Sequence, residues 1–269
     1  MTGTNDGARP IGYALSDHVA TITLQRPEAM NALDVATKDA LRAAVEQAAA
    51  DPDVRAVLLT ATGRAFCVGQ DLREHVDALD QLSPQELWST VADHYTPIAT
   101  ALATMPKPAV AAVNGVAAGA GASMAFACDL RVLADTASFN TAFAGIGLSC
   151  DTGASWTLPR LVGHARALDL LYHPRSVDAA EAERLGLANM VVPADSLAEE
   201  AGAVAGRLAA GPTLAYAAIK QALAYSATHD LAESLVNEGA QMARTGSSQD
   251  HRDAVAAFVA KRTPEFHGR

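Results

Sequence analysis

The stretch His18 to Gln25 alternates apolar and polar side chains, with Val19, Ile22 and Leu24 in the apolar set, which predicts a strand that Arg26-Pro27 ends. From Asp34 the apolar positions fall at helical spacing, Val35, Leu41 and Val45 among many alanines, and Asp51-Pro52 closes that helix. Ala56 to Thr62 is a short apolar run of the kind found in buried strands, and Gly63-Arg64 opens a loop after it. Ser83-Pro84-Gln85-Glu86 reads as a capping box with proline at the first helical position, so a helix is expected from there toward Met105, where Lys107-Pro108 breaks it. Ala109 to Val113 is a further buried strand, Asn114-Gly115 a turn, Gly119 to Cys128 a helix and Leu130 to Leu133 the next strand. Strands alternating with helices predict parallel crossovers. From His164 the pattern is almost continuous helix, with caps or breaks at Ser176, Asp195, Gly211-Pro212 and Asp230. The expected organisation is an α/β core over residues 1–200 followed by a helical region over 201–269, with no long linker and no detectable repeat.

Composition narrows the function classes. Half of the 269 residues are hydrophobic by type and 19% are charged, which excludes disorder. Thirty acidic against 20 basic side chains give a net charge of -10, and no lysine- or arginine-rich run interrupts it, so nucleic acid and anionic membrane are not expected partners. Three cysteines, Cys67, Cys128 and Cys150, show no paired spacing, so neither a disulfide framework nor a zinc site is expected, and a reducing cytoplasm is the default location. Met1 to Pro10 is polar and lacks the basic and then apolar regions of a secretory signal. Pro108 to Cys128 is about the length of a membrane span, but it is alanine and glycine with Asn114 inside, not leucine and isoleucine.

Several motifs carry candidate chemistry. Gly119-Ala120-Gly121 could open a dinucleotide fingerprint, but Met124 stands at the third glycine position. Gly121-Ala-Ser123-Met-Ala125 resembles a nucleophile elbow without a suitably placed histidine; glycine and alanine that let a helix pack closely on a sheet explain both segments equally well. Ala65 to Leu72 and Asn114 to Gly121 are two glycine-containing turns that each leave a strand with free backbone N–H groups; converging on one carbonyl oxygen, they would form an oxyanion hole of the kind thioester chemistry requires. Asp151, in a turn among small and apolar residues, is either a carboxylate for catalysis or the N-cap of a helix over 152–161.

Four segments in register, Arg26 to Leu33, Ala65 to Asp71, Ala112 to Gly121 and Gln249 to Phe258, resemble the crotonase, or enoyl-CoA hydratase/isomerase, family. The resemblance implies a crotonase-type α/β spiral of repeated ββα turns, a C-terminal α-helical region that assembles a homotrimer or a dimer of trimers, and coenzyme A thioester substrates, with no cofactor beyond the coenzyme A of the substrate. It implies that the N–H groups of Val68 and Ala120 form the oxyanion hole. Arg26, Ala29, Met30, Ala65, Gly69, Gln70, Asp71 and Lys261 would contact substrate or coenzyme A, and Ser123 and Phe143 would line the pocket. Family hydratases carry glutamates at the positions of Ser123 and Phe143, and neither residue here can act as general acid or base. Asp151 matches the aspartate of family isomerases, those of phenylacetate degradation among them, with Ile146, Leu148 and Trp156 expected to desolvate it. An isomerase that shifts a double bond through Asp151 is the expected activity. Enoyl-CoA hydration, an aryl-CoA dehalogenase-like reaction with nucleophilic Asp151 and His94 nearby, and acyl-CoA binding without chemistry are the alternatives.

Overall fold

The computed structural model describes residues 9–269. Strands β1 (Ile11–Ser16) and β2 (Val19–Leu24) form an antiparallel hairpin, and α1 (Val35–Ala50) follows after a loop, its N-cap Asp34 accepting from the Thr37 N–H at 2.8 Å. Three strand-strand-helix turns come next. The first is β3 (Ala56–Ala61), β4 (Ala65–Cys67) and the helices α2 (Leu72–Leu79), α3 (Pro84–Thr90) and α4 (Thr96–Thr104). The second is β5 (Ala109–Val113), β6 (Val116–Ala118) and α5 (Ala120–Ala127); the third is β7 (Leu130–Ala134), β8 (Ser138–Asn140), α6 (Ala154–Val162) and α7 (His164–Tyr172). The chain then runs through β9 (Val177–Asp178), α8 (Ala179–Leu185) and β10 (Met190–Val192) into α9 (Leu197–Ala209), α10 (Thr213–Ser226), α11 (Leu231–Gly246) and α12 (Gln249–Val259).

The first strand of each turn joins a six-stranded sheet in the order β1-β2-β3-β5-β7-β10, and the second joins a smaller sheet in the order β4-β6-β8-β9. Pairing is parallel from β2 to β10 and from β4 to β8, so the strands of each sheet leave the same edge. This is the ββα spiral that the motifs imply. The long helix expected after Ser83 is present as α3 and α4 joined by a π-helical stretch, Val91–Tyr95, and its capping box is intact. One expectation is corrected: the almost continuous helix expected after His164 is interrupted by β9 and β10, which complete the two sheets. Helix α9, which buries Leu197, Ala201, Val204 and Ala205, packs on β3, β5 and β7.

Close backbone approach explains the alanine and glycine. Every residue of α5 is buried, as a helix apolar on all sides must be. A Cβ at Gly121 would lie 2.1 Å from the Cys67 carbonyl oxygen, and one at Gly115 would lie 2.1 Å from that of Arg64. Only glycine lets the end of β4 and the start of α5 meet at this distance.

Candidate active site

The end of β4 is held from two sides. Leu33 donates its N–H to the Gly69 carbonyl at 2.8 Å and accepts from the Asp71 N–H at 3.1 Å, while Gly69, with φ +85°, has the Ala118 carbonyl and Ala120 nitrogen against it. The loop that carries Leu33 is fixed by Asn31. This wholly buried side chain accepts from the Arg26 N–H at 2.8 Å and donates to the carbonyls of Thr62 and Ala65 at 2.9 and 2.8 Å. Val68, Gly69, Gln70, Gly119 and Ala120 consequently face one cavity of about 340 Å³. Gly119 leads into α5 without a side-chain cap, and Ala120 is the first residue of that helix, whose N–H has no acceptor within it.

Asp151 reaches the same cavity from the loop before α6, with Phe143, Ile146 and Leu148 beside it in the wall. Burial pushes its carboxyl up from the ordinary carboxylate range, and a 2.7 Å hydrogen bond donated by the Thr152 hydroxyl opposes that shift. The side chain does not cap α6: Gly153 holds the N-cap position, and it is the Asp151 backbone carbonyl that accepts from the Ala154 N–H. The helix-cap alternative is thereby corrected. Thr152 itself is buried with φ +52°, a conformation that a β-branched residue rarely adopts, and Ala142 on the cavity wall has φ +60°.

The other two carboxylates of the cavity are engaged. Glu86 closes the capping box with Ser83, which draws its carboxyl below the usual range. Glu74 accepts from the Val35 N–H at 3.0 Å and lies 3.9 Å from Lys38 Nζ. Lys38 is almost fully buried and donates to the Thr90 hydroxyl at 2.8 Å and to Gln70 Oε1 at 3.3 Å. The Thr90 hydroxyl is also hydrogen-bonded to His94 Nδ1 at 3.0 Å, and His94 Nε2 lies 3.1 Å from the Asp39 carboxylate. Both nitrogens of His94 are therefore committed. Tyr95, buried beside them, donates to Gln70 Oε1, and its phenol is pushed up first by burial and then by the negative charge of Asp151.

The remaining expected residues divide. Phe143 lines the cavity as expected, but Ser123 does not: it is buried in α5 and donates to the Gly119 carbonyl at 2.9 Å. Trp156 lies away from Asp151, half exposed against the Arg160 guanidinium, 4.1 Å from its ring centre. Arg26 is tied to Asp34 at 3.0 Å, to Asp71 at 3.3 Å and to the Ala32 carbonyl at 2.6 Å, so the cation and Asp71 both act within the fold rather than in the cavity wall. Asp71 is also the N-cap of α2. Ala29, Met30 and Ala65 support the loop behind Gly69 without lining the cavity, and Lys261 is exposed just past α12. The residues that the sequence did not single out are Lys38, Tyr95 and Thr90. They stand on helices whose periodicity had marked them only as helical positions, and a lysine within an amphipathic pattern reads as a solvated face.

A family model described as enoyl-CoA hydratase/isomerase matches residues 15–269. The chain is 42% identical over 259 residues to a Rhodobacter capsulatus protein described as a probable enoyl-CoA hydratase, an alignment covering 96% of this chain and 98% of the relative. It is 39% identical over 252 residues to the 1,2-epoxyphenylacetyl-CoA isomerase of Escherichia coli, covering 93% and 95%. A crystal structure from Mycobacterium abscessus, assigned to enoyl-CoA hydratase/isomerase, superposes with a TM-score of 0.93 at 44% identity, covering 96% of this chain and all of that one. The chain belongs to the enoyl-CoA hydratase/isomerase, or crotonase, family of acyl-CoA enzymes. Among its described residues no helix is long and apolar enough to cross a membrane.

Proposed function

We propose that this enzyme is an enoyl-CoA isomerase in which Asp151 moves one proton between two carbons of the acyl chain. The observation that carries the reading is the state of the cavity's carboxylates: Glu74 and Glu86 are held by N–H groups of other residues, a lysine and a serine, whereas Asp151 has the Thr152 hydroxyl and its own backbone N–H, no charged partner among the described residues, and a raised pKa. A carboxylate whose pKa is raised is a stronger base than an ordinary one, and the acid it forms can return the proton.

In this reading the thioester oxygen of a 3-enoyl-CoA accepts from the N–H groups of Val68 and Ala120. The Asp151 carboxylate removes a proton from C2; the C–H electron pair forms the C1–C2 double bond of a dienolate that keeps its C3–C4 double bond, and the carbonyl π pair moves onto the thioester oxygen, where the negative charge rests until its return shifts the C1–C2 pair to C2–C3 and the C3–C4 pair to the proton at C4. Return of the electrons to the carbonyl takes up the same proton at C4 and leaves a 2-enoyl-CoA, with Asp151 ionised again. No water enters the balance. Hydration would need groups to activate water at the positions of Ser123 and Phe143, where the structure has a hydroxyl bonded to a carbonyl and a phenyl ring. The name of the Rhodobacter capsulatus relative favours hydration as the second reading, and the Escherichia coli relative favours isomerisation. The test supplies purified enzyme with a 3-enoyl-CoA and, separately, a 2-enoyl-CoA. Isomerisation of the first at least about 100-fold faster than hydration of the second is the expected outcome; the reverse ratio makes it a hydratase, and binding without turnover of either makes it an acyl-CoA-binding protein.

A further inference from the structure

The Gln70 carboxamide is held in one orientation. Its Oε1 accepts from both Lys38 Nζ, at 3.3 Å, and the Tyr95 hydroxyl. A tyrosine alone would leave the amide free to turn over, because a phenol can donate or accept. An ammonium cannot accept, so Lys38 decides the matter and places the amide nitrogen on the opposite side. Lys38 is itself pinned by the Thr90 hydroxyl, and the Glu74 carboxylate at 3.9 Å favours its charged form against the burial that disfavours it. Among the described residues, Gln70 Nε2 donates to no protein acceptor, nor is it a sealed-off polar atom; Gln70 lines the cavity two residues beyond Val68 and in contact with Tyr95, whose phenol feels the charge of Asp151. The two N–H donors of Nε2 are therefore unpartnered on a residue that lines a cavity whose wall is largely apolar, with Leu72, Leu82, Leu87, Trp88, Phe143 and Leu148 beside the ionisable Glu74, His75, Glu86 and Asp151. A hydrocarbon chain in that place would leave both donors unpaired, and a buried unpaired donor is disfavoured.

We propose that Gln70 is a specificity-determining residue that selects acyl groups carrying an oxygen acceptor (an ether, hydroxyl or carbonyl oxygen a few bonds from the thioester) over plain hydrocarbon chains, with Lys38 as the positioning residue that fixes its orientation. The proposal rests on the cavity being the acyl site, but not on which reaction Asp151 performs.

The test uses binding rather than turnover, so that it stands apart from the isomerase reading. Hexanoyl-CoA and the three isosteric ethers 3-, 4- and 5-oxahexanoyl-CoA, none of which carries a double bond to shift, are titrated by calorimetry into the wild-type enzyme and into Gln70→Leu. In the wild type at least one ether binds more tightly than hexanoyl-CoA, and Gln70→Leu lowers that ether-to-hydrocarbon affinity ratio about tenfold. Lys38→Met, which keeps the carboxamide but lets it turn over, lowers the ratio by a smaller factor, about threefold; a purely structural effect would weaken all four thioesters alike and leave the ratio untouched. An unchanged ratio in both variants overturns the proposal, as does wild-type enzyme that binds all four equally or none of them. If Gln70→Leu does not fold, the Lys38→Met ratio decides. Failure of 3-enoyl-CoA turnover with the ratio intact would count against the isomerase reading alone.

Discussion

At the scale of single residues the site is a set of backbone groups and one carboxylate whose surroundings oppose each other. Burial raises the pKa of Asp151 and the Thr152 hydroxyl lowers it. Since the reaction begins from the carboxylate, the acid limb of the kcat/KM profile follows that pKa. Thr152→Val, nearly isosteric, removes the lowering contribution, so the acid limb is expected to move to higher pH, read from a pH–rate series. The same desolvation has a stability consequence. A carboxyl whose folded pKa lies above its unfolded one binds more protons in the folded state, so stability is highest below the unfolded pKa and falls as pH rises through the folded value. Above the folded pKa that penalty is complete. Asp151→Asn removes it and is expected to raise Tm by about 2 °C at pH 7, with the gain shrinking as the pH falls toward 4; an equal or lower Tm at pH 7 would show that the carboxylate is better solvated than its position in the cavity implies.

At the scale of elements, what counts is how near β4 and α5 can come. Gly121 has no room for a methyl group beside the Cys67 carbonyl, whereas Gly202 in α9 has nothing within 4 Å of where a Cβ would be. Gly121→Ala is accordingly expected to destabilise by about 3 kcal/mol or more and to lose acyl-CoA binding, while Gly202→Ala gains about 0.5–1 kcal/mol from helix propensity. Chemical denaturation of the two variants checks both. This is also the scale at which the sequence was most and least legible. Strand β2 and helix α1 follow from periodicity and a cap, and β3, β5, β7 and α5 from short apolar runs bounded by glycine, proline or polar breaks. The strands β4, β6 and β8, three residues each, are too short to repeat anything, and they are the ones that carry the site. None of the three reads as a strand; β4 and β6 lie in the segments Ala65 to Leu72 and Asn114 to Gly121, which read as glycine-containing turns, and β8 carries no motif. The tail reads as almost continuous helix because β9 and β10 add only two and three residues to a stretch rich in alanine and charge. Asp151 was found by its surroundings in sequence, but that it does not cap α6 depends on Gly153 taking the N-cap with φ +80°, which no spacing reveals. Arg26 shows the converse: an isolated cation in a motif pointed to a phosphate, while its partners Asp34 and Asp71 lie 8 and 45 positions further along the chain.

At the scale of the whole molecule the spiral leaves the cavity on one side and an apolar surface on the C-terminal helices. Leu231, Leu235, Val236 and Met242 on α11, with Phe258 and Val259 at the end of α12, are all more than half exposed. So much exposed apolar side chain in one region is characteristic of an interface. The resemblance implies a trimer through this region, and a trimer or hexamer is the expected mass in sedimentation velocity. Val236→Asp, which places a charge on that face, is expected to shift the distribution toward monomer; a wild-type chain that sediments as a monomer would remove the basis for this assembly. The net charge of -10 bears on partners at the same scale. It disfavours a polyanion as a ligand more than it does a single coenzyme A molecule.

The central claim is that one carboxylate, Asp151, carries the proton. The direct measurement is turnover of a 3-enoyl-CoA by Asp151→Asn in deuterated water, following double-bond position and deuterium incorporation together, with substrate affinity measured alongside. The account predicts that kcat falls at least about 1,000-fold, that neither C2 nor C4 takes up deuterium, and that the thioester still binds. Isomerisation within a few-fold of the wild-type rate would contradict it and assign the proton transfer to another group in the cavity.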